Sequence, residues 1–381
     1  MIFGSLGLFA PFLQKDFGWG RGQIMLSLTF YGLASVVASP HTGRLVDRIG
    51  VRAVLFPSLF LFMGGFVGLA YLVHSLLGLY FLAAIWGVLT VGTMSITYMK
   101  LLTVWFERWR GLAVGIASTG PGLGFIIVPV LVTQLLAHTS WHSTLLAMAL
   151  LILLVPTILN YLFAYPKSNP SGAVSAGTSG LTLQQARRTG NLWYIAGAIF
   201  LAATMLAGVF PNLAPSARDH GFSATQASLV AASYGLTTTL GRVLVGYLAD
   251  RYPIKYVTIL FFSISGAGFL WAALIGSHAS LLVLMLDAFA IGAGFGAESC
   301  VIALLISRYF GQRDFGAIYG VLLAIFMVGA ALGPPLFGYS RDLLGSYQPA
   351  MLIAALAMAA AMLLLSRLTR ERSQVSIVVL P

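Results

Sequence analysis

Apolar runs of about 20 residues follow one another along the whole of this sequence. A run of that length is what an α-helix needs to cross the hydrocarbon of a bilayer, and no other feature narrows the possible folds as far. Backbone N–H and C=O groups in lipid must be satisfied within their own segment, so the spans are read as helices. Hydrophobic residues make up 59% of the 381 and charged residues only 8%, far from the make-up of a soluble domain. The net charge of +11 would suggest a nucleic-acid partner in a soluble protein, but here the basic residues sit mostly at the ends of apolar runs, so no nucleic acid is expected. The lone cysteine, Cys300, lies inside an apolar run and allows neither a disulfide framework nor a cysteine metal site.

Twelve spans are expected, at residues 1–14, 22–42, 53–73, 76–104, 111–138, 143–165, 191–213, 224–247, 256–276, 280–306, 316–339 and 348–366. The first is short for a crossing and lacks a basic n-region, so it reads as part of a helix rather than as a signal peptide. Basic residues set the orientation. If residues 43–52 are cytoplasmic, fifteen fall on that side (Arg44, Arg48, Arg52, Arg108, Arg110, Lys167, Arg187, Arg188, Arg251, Lys255, Arg308, Arg313, Arg367, Arg370 and Arg372). Four fall on the other, Lys15, Arg21, Arg218 and Arg341, and Lys100 and Arg242 lie within spans. The expectation is a multi-pass protein of the cell membrane with both termini cytoplasmic.

The chain repeats itself. Asp16, Gly18, Gln23, Tyr31, Gly32, Gly43, Asp47 and Arg48 recur 203 residues later as Asp219, Gly221, Gln226, Tyr234, Gly235, Gly246, Asp250 and Arg251. Further on the offset is 205: Gly111, Gly115, Gly124 and Pro129 recur as Gly316, Gly320, Gly329 and Pro334. Two six-helix halves are expected, 1–165 and 191–381, joined by a Pro-, Gly- and Ser-rich cytoplasmic linker at 166–190. Such parallel halves are a transporter layout.

The stretch "GRLVDRIGVR" at 43–52, echoed by "GYLADRYPIK" at 246–255, resembles the motif between the second and third helices of the major facilitator superfamily. The likeness spans nearly the whole chain. "WFERWRGLAVGIASTGPGLG" at 105–124, "DFGWGRGQI" at 16–24 and "SRYFGQRDFGAIYG" at 307–320 resemble segments of the monocarboxylate porters and the oxalate–formate exchangers within it. The resemblance implies an all-α membrane protein of twelve helices in two pseudo-symmetric halves. It also implies that Asp47, Arg48, Asp250 and Arg251 form cytoplasmic gating networks: an aspartate can meet a helix N-terminus and an arginine a carboxylate.

Charge inside the membrane is costly and marks function by default. Arg242, four residues before Gly246, matches an eighth-helix arginine of the monocarboxylate porters and is the candidate anion anchor. A guanidinium keeps its charge and grips a carboxylate through two parallel hydrogen bonds. Some members of that group carry an aspartate one turn earlier, where this chain has Thr238. Asp287 and Glu298, eleven residues apart on the tenth span, share a helix face at about 100° per residue and are the proton-coupling candidates. The neighbouring "IGAGFGAES" at 291–299 allows close helix approach or leaves room for a ligand. Tyr31 and Tyr234, on equivalent spans, can hydrogen-bond a substrate. Lys100, a turn from its helix end, is expected to snorkel to the interface.

No Walker loop, catalytic cluster or metal-ligand spacing stands out. The expectation is a secondary transporter, not an enzyme, without cofactor. It would carry a small organic anion, a monocarboxylate foremost, between the halves by alternating access and with protons. An oxalate–formate type of exchange is the near alternative; a proton-driven drug exporter and a transporter-like sensor are the distant ones.

Overall fold

A computed structural model of the chain describes residues 2–106, 109–163, 180–274 and 279–369. Arg108, Lys167, Arg370, Arg372 and most of the expected linker lie outside the described residues. Among the described residues fifteen α-helices follow in order: α1 Ile2–Phe17, α2 Arg21–Ile49, α3 Val51–Tyr71, α4 Leu76–Leu89, α5 Ser95–Trp105, α6 Arg110–Ser118, α7 Gly120–His138, α8 Trp141–Phe163, α9 Leu183–Arg187, α10 Gly190–Asp219, α11 Ala224–Ala249, α12 Ile254–Leu274, α13 Leu281–Leu305, α14 Phe315–Leu344 and α15 Gln348–Ser366. A 3₁₀ turn, Val91–Thr93, links α4 to α5, and a π turn, Ile306–Phe310, extends α13.

Within the described residues each expected span is largely helix, but two are broken. The span at 76–104 divides between α4 and α5, where Thr90 turns its hydroxyl onto the Trp86 carbonyl at 2.6 Å and Thr97 onto Gly92 at 2.6 Å. Threonine hydroxyls compete with backbone donors in this way. The span at 111–138 divides at Thr119, just before Pro121. Proline has no N–H to give the carbonyl four residues back, so the ladder of α6 stops there.

The expected loop at 43–52 is mostly helical. Residues from Gly43 to Ile49 complete α2, and Val51 begins α3. Hydropathy marks the depth of hydrocarbon, whereas helical hydrogen bonding continues into the polar margin. Gly50 alone makes the turn, at φ +90°, a conformation that side chains with a Cβ avoid.

The chain forms two compact units. One holds residues 1–105, 119–170 and 316–324, the other 106–118, 171–315 and 325–381. In the first unit the core gathers Phe9, Tyr31, Phe66, Trp86, Trp141 and Met148. Its motif end is an aspartate cap: Asp47 Oδ1 accepts the Gly316 N–H at 2.9 Å and Oδ2 the Ala317 N–H at 2.7 Å. In the second unit Asp250 does the same to α6, taking Gly111 N–H at 2.7 Å and Leu112 N–H at 2.9 Å. These donors belong to the first turns of α14 and α6, where backbone N–H groups have no partner within the helix. The repeat is thus written into the contacts: each repeat's motif aspartate caps the helix that begins the fifth span of the other.

Glycine makes those approaches possible. A Cβ built on Gly43 would lie 1.9 Å from the Gly316 carbonyl oxygen, and one on Gly246 would lie 2.2 Å from that of Gly111. By contrast, a Cβ on Gly64 of α3 would meet nothing within 4 Å. Gly43→Ala and Gly246→Ala should therefore each lower unfolding stability in detergent by about 1–3 kcal/mol, the range for overpacking. Gly64→Ala should stay within about 1 kcal/mol of the parent, and equal effects at all three positions would contradict the packing described.

Candidate functional site

Arg242 sits on α11, 9% exposed, two turns before Asp250. Its Nη1 donates to the Ser118 carbonyl at 2.7 Å, and its Nε has no hydrogen-bond partner. Ser118 is the last residue of α6. Helix α6 therefore carries the Asp250 carboxylate on its first turn and the Arg242 guanidinium on its last carbonyls. An anion at the N-terminus and a cation at the C-terminus both complement the helix dipole. Both charges come from α11 and lie eight residues apart, about 12 Å along a helix, close to the span of α6 between Gly111 and Ser118. Gly111 and Gly115 allow this apposition; a Cβ on Gly115 would lie 2.5 Å from the Arg242 carbonyl oxygen. The carbonyl that Arg242 takes up was not foreseen from sequence, although Pro121, which ends α6, was visible there.

Glu298 lies on α13 with 0% exposure, and neither carboxylate oxygen has a hydrogen-bond partner. It forms no ion pair with Arg242. The small residues beside it serve close helix contact. A Cβ on Gly292 would lie 2.6 Å from the Tyr234 carbonyl oxygen and one on Gly296 2.5 Å from that of Thr238. Gly294 instead faces α12, and its N–H donates to Ser265 Oγ at 2.7 Å. The Cys300 thiol donates to the Arg242 carbonyl at 3.7 Å. Hence α13 locks against α11 beside both candidate charges. Asp287, on the same helix, is 8% exposed, its Oδ1 has no partner, and it lines a cavity away from Arg242.

The two tyrosines are committed to their own helices' neighbours. The Tyr234 hydroxyl donates to the Leu206 carbonyl at 2.7 Å, and its ring packs beside Phe210 and Phe295. The Tyr31 hydroxyl pairs with Thr90 Oγ1 at 3.0 Å, and its ring meets Trp86 edge-on. Gly87 lies against the Tyr31 carbonyl as Gly292 lies against that of Tyr234, another trace of the repeat.

Among the motif charges, Asp47 and Asp250 are the caps already described. Arg48 is exposed, and Arg251 stacks over the Tyr247 ring at 4.1 Å. Lys100 does not snorkel. Its Nζ lies 2.5 Å from Asp47 Oδ1, with the two side chains 16% and 8% exposed. An interfacial lysine finds a better partner in a half-desolvated carboxylate than in water it reaches only partly. The second repeat has Leu305 at the matching position, so only the Asp47 cap is charge-neutralised by a lysine there. Among the described residues, no group of three or more metal-ligating side chains forms.

A family model described as the Major Facilitator Superfamily matches residues 1–216 and 195–378. Monocarboxylate transporter 11 of Homo sapiens is 28% identical over 374 residues, covering 92% of this chain and 75% of that protein. The 4-hydroxybenzoate transporter PcaK of Pseudomonas aeruginosa is 27% identical over a 405-residue alignment, 94% of this chain and 88% of its own. The crystal structure of the Escherichia coli fucose:proton symporter FucP shares the fold, with a TM-score of 0.68 at 19% identity, covering 95% of this chain and 93% of that one.

The Lys100–Asp47 pair generates a test. Lys100→Met should destabilise the fold by about 1–3 kcal/mol. That is less than the 3–5 kcal/mol of a wholly buried pair, because Asp47 keeps two backbone donors. Adding Asp47→Asn should then cost less than it does in the parent, with a coupling energy of at least about 0.5 kcal/mol. A strictly additive double mutant, read by denaturant unfolding, would show that the two groups do not interact in solution.

Proposed function

Because the chain belongs to the Major Facilitator Superfamily, and is a multi-pass membrane transporter rather than an enzyme, we propose that it carries a small organic anion, a monocarboxylate foremost. The observation behind this is Arg242: a buried cation on a membrane-spanning helix, held by one backbone carbonyl and with its Nε edge unpartnered. A charge in that position is retained at considerable cost, and a carboxylate fits the guanidinium edge with two parallel bonds. Two relatives support the class: the names monocarboxylate transporter and 4-hydroxybenzoate transporter have only a carboxylate in common.

In this reading the cycle is one of alternating access driven by protons, in the cell membrane, with both termini cytoplasmic. The Asp47 and Asp250 caps release and re-form once per cycle. Arg242 joins cargo to gate, because the same guanidinium that takes the carboxylate caps α6, whose other end Asp250 holds. A carboxylate competing for Arg242 weakens the hold on the Ser118 carbonyl and loosens α6 at the end opposite the gate. Glu298 is the proton carrier: an unpaired carboxylate in a dry helix interface is costly to keep charged, so it cycles as the acid. Tyr31 and Tyr234, whose hydroxyls already have partners, have packing roles.

Two sets of variants test this. Arg242→Lys keeps the charge but loses the planar fork. Binding of pyruvate or 4-hydroxybenzoate, followed by ligand-induced thermal shift, should weaken by about 1.5–3 kcal/mol. Arg242→Ala should retain no measurable binding, and wild-type affinity in that variant would remove the anchor. Glu298→Gln mimics the protonated acid permanently. Counterflow exchange should survive in it while proton-driven accumulation fails, and accumulation at the parent rate would move coupling to another residue.

A further inference from the structure

The second unit holds a cavity of about 320 Å³ at the end of the bundle opposite Asp250, and neither the anion anchor nor the caps make use of it. Its floor is Asp287 of α13, more than nine-tenths buried, with Oδ1 lacking any hydrogen-bond partner. Its walls are apolar, contributed by Leu213 of α10, Leu284 of α13 and Met351 of α15. Its rim is polar: Asp219, His220, Arg341 and Tyr347.

Of the two aspartates that line this cavity, Asp219 is ion-paired and Asp287 is not. Arg341 Nε donates to Asp219 Oδ2 at 2.7 Å and its Nη1 to the Gly345 carbonyl at 2.5 Å. The two charges of that ion pair offset each other. His220 turns its Nδ1 onto the Ser216 carbonyl at 2.9 Å; a carbonyl only accepts, so Nδ1 carries the hydrogen and that edge of the ring is already engaged. Burial first, and then the charge of Asp219, hold the Tyr347 phenol above its ordinary range, so it stays neutral. Asp287 forms an ion pair with none of these groups, and it borders a space large enough for a small ligand.

An anion is repelled by that floor. A metal ion asks for about six oxygens, and among the described residues no group of three metal-ligating side chains is present. A primary ammonium on a short alkyl stem satisfies what the cavity offers: its N–H donors meet the Asp287 carboxylate, and its stem covers the apolar walls. We propose that this cavity is a binding site for a small primary alkylammonium, with Asp287 as its anionic floor. The site is distinct from the one that takes the carboxylate.

The test uses the full chain in nanodiscs at constant ionic strength, with n-butylammonium chloride as probe and n-butanol and sodium chloride as controls. Calorimetric titration of the parent should show saturable binding of n-butylammonium and none of the controls. Asp287→Asn should weaken it by about tenfold or more, as loss of a charge-assisted contact requires. Ser216→Leu, which fills the cavity from α10 and leaves Asp287 in place, should abolish it. Should Asp287→Asn fail to fold, the Ser216→Leu variant decides alone. The proposal is overturned if the parent shows no saturable n-butylammonium binding, if n-butanol binds as well, or if either folded variant binds like the parent. It is also overturned if lowering the pH stabilises the protein while n-butylammonium does nothing, because the floor then takes only a proton. No carboxylate is present in the titration, so the outcome is independent of the anion reading.

Discussion

The structure turns on two aspartates that cap two helices. Asp47 and Asp250 each place both carboxylate oxygens on the first-turn N–H groups of a helix from the other repeat. Such contacts are strong because the acceptor is charged and the donors are otherwise orphaned. They are possible only because glycine stands on both sides of each crossing, Gly43 against Gly316 and Gly246 against Gly111. The conformational freedom of glycine matters little at these four positions; what matters is the missing Cβ, which lets two backbones come close enough for an aspartate to reach across.

The second repeat adds something that the first does not. At the position equivalent to Arg242 the first repeat has Ser39, whose hydroxyl folds back onto the Ser35 carbonyl at 2.7 Å. Of the two capped helices, therefore, α6 alone has an aspartate at its first turn and an arginine at its last from one neighbouring helix. The first repeat answers with Lys100 beside Asp47, where the second has Leu305. The two halves share a scaffold and divide the charged work: one stabilises its cap with a lysine, the other ties its cap, through α6, to a buried arginine.

Most of this fold is legible in the sequence, because the apolar runs and the offset repeat are long-range regularities that a few local exceptions cannot hide. The helix breaks at Thr90 and Thr119 are harder to read, since hydropathy is blind to hydrogen bonding by threonine and only partly registers a proline. The motif's place at a helix end, instead of in a loop, is hidden for the same reason. At the site, the residue types that stand out as costly in lipid, Arg242, Glu298 and Asp287, are all buried. What the sequence could not supply is what surrounds the charges: the Ser118 carbonyl at Arg242, Asp47 at Lys100, and at Asp287 a cavity built from α10 through α15. Backbone partners and cavities arise from packing between distant segments and leave no local pattern.

The central claim is that a buried arginine coupled to a helix cap serves the transport of carboxylates. Uptake by the purified protein in proteoliposomes, measured with radiolabelled pyruvate, lactate and 4-hydroxybenzoate beside a neutral sugar and a cationic dye, tests it most directly. The account predicts saturable uptake of at least one carboxylate, accelerated when the outside is made acidic, and no uptake of the sugar or the dye. Uptake of the dye with every carboxylate excluded, in a preparation shown to be folded, would contradict it.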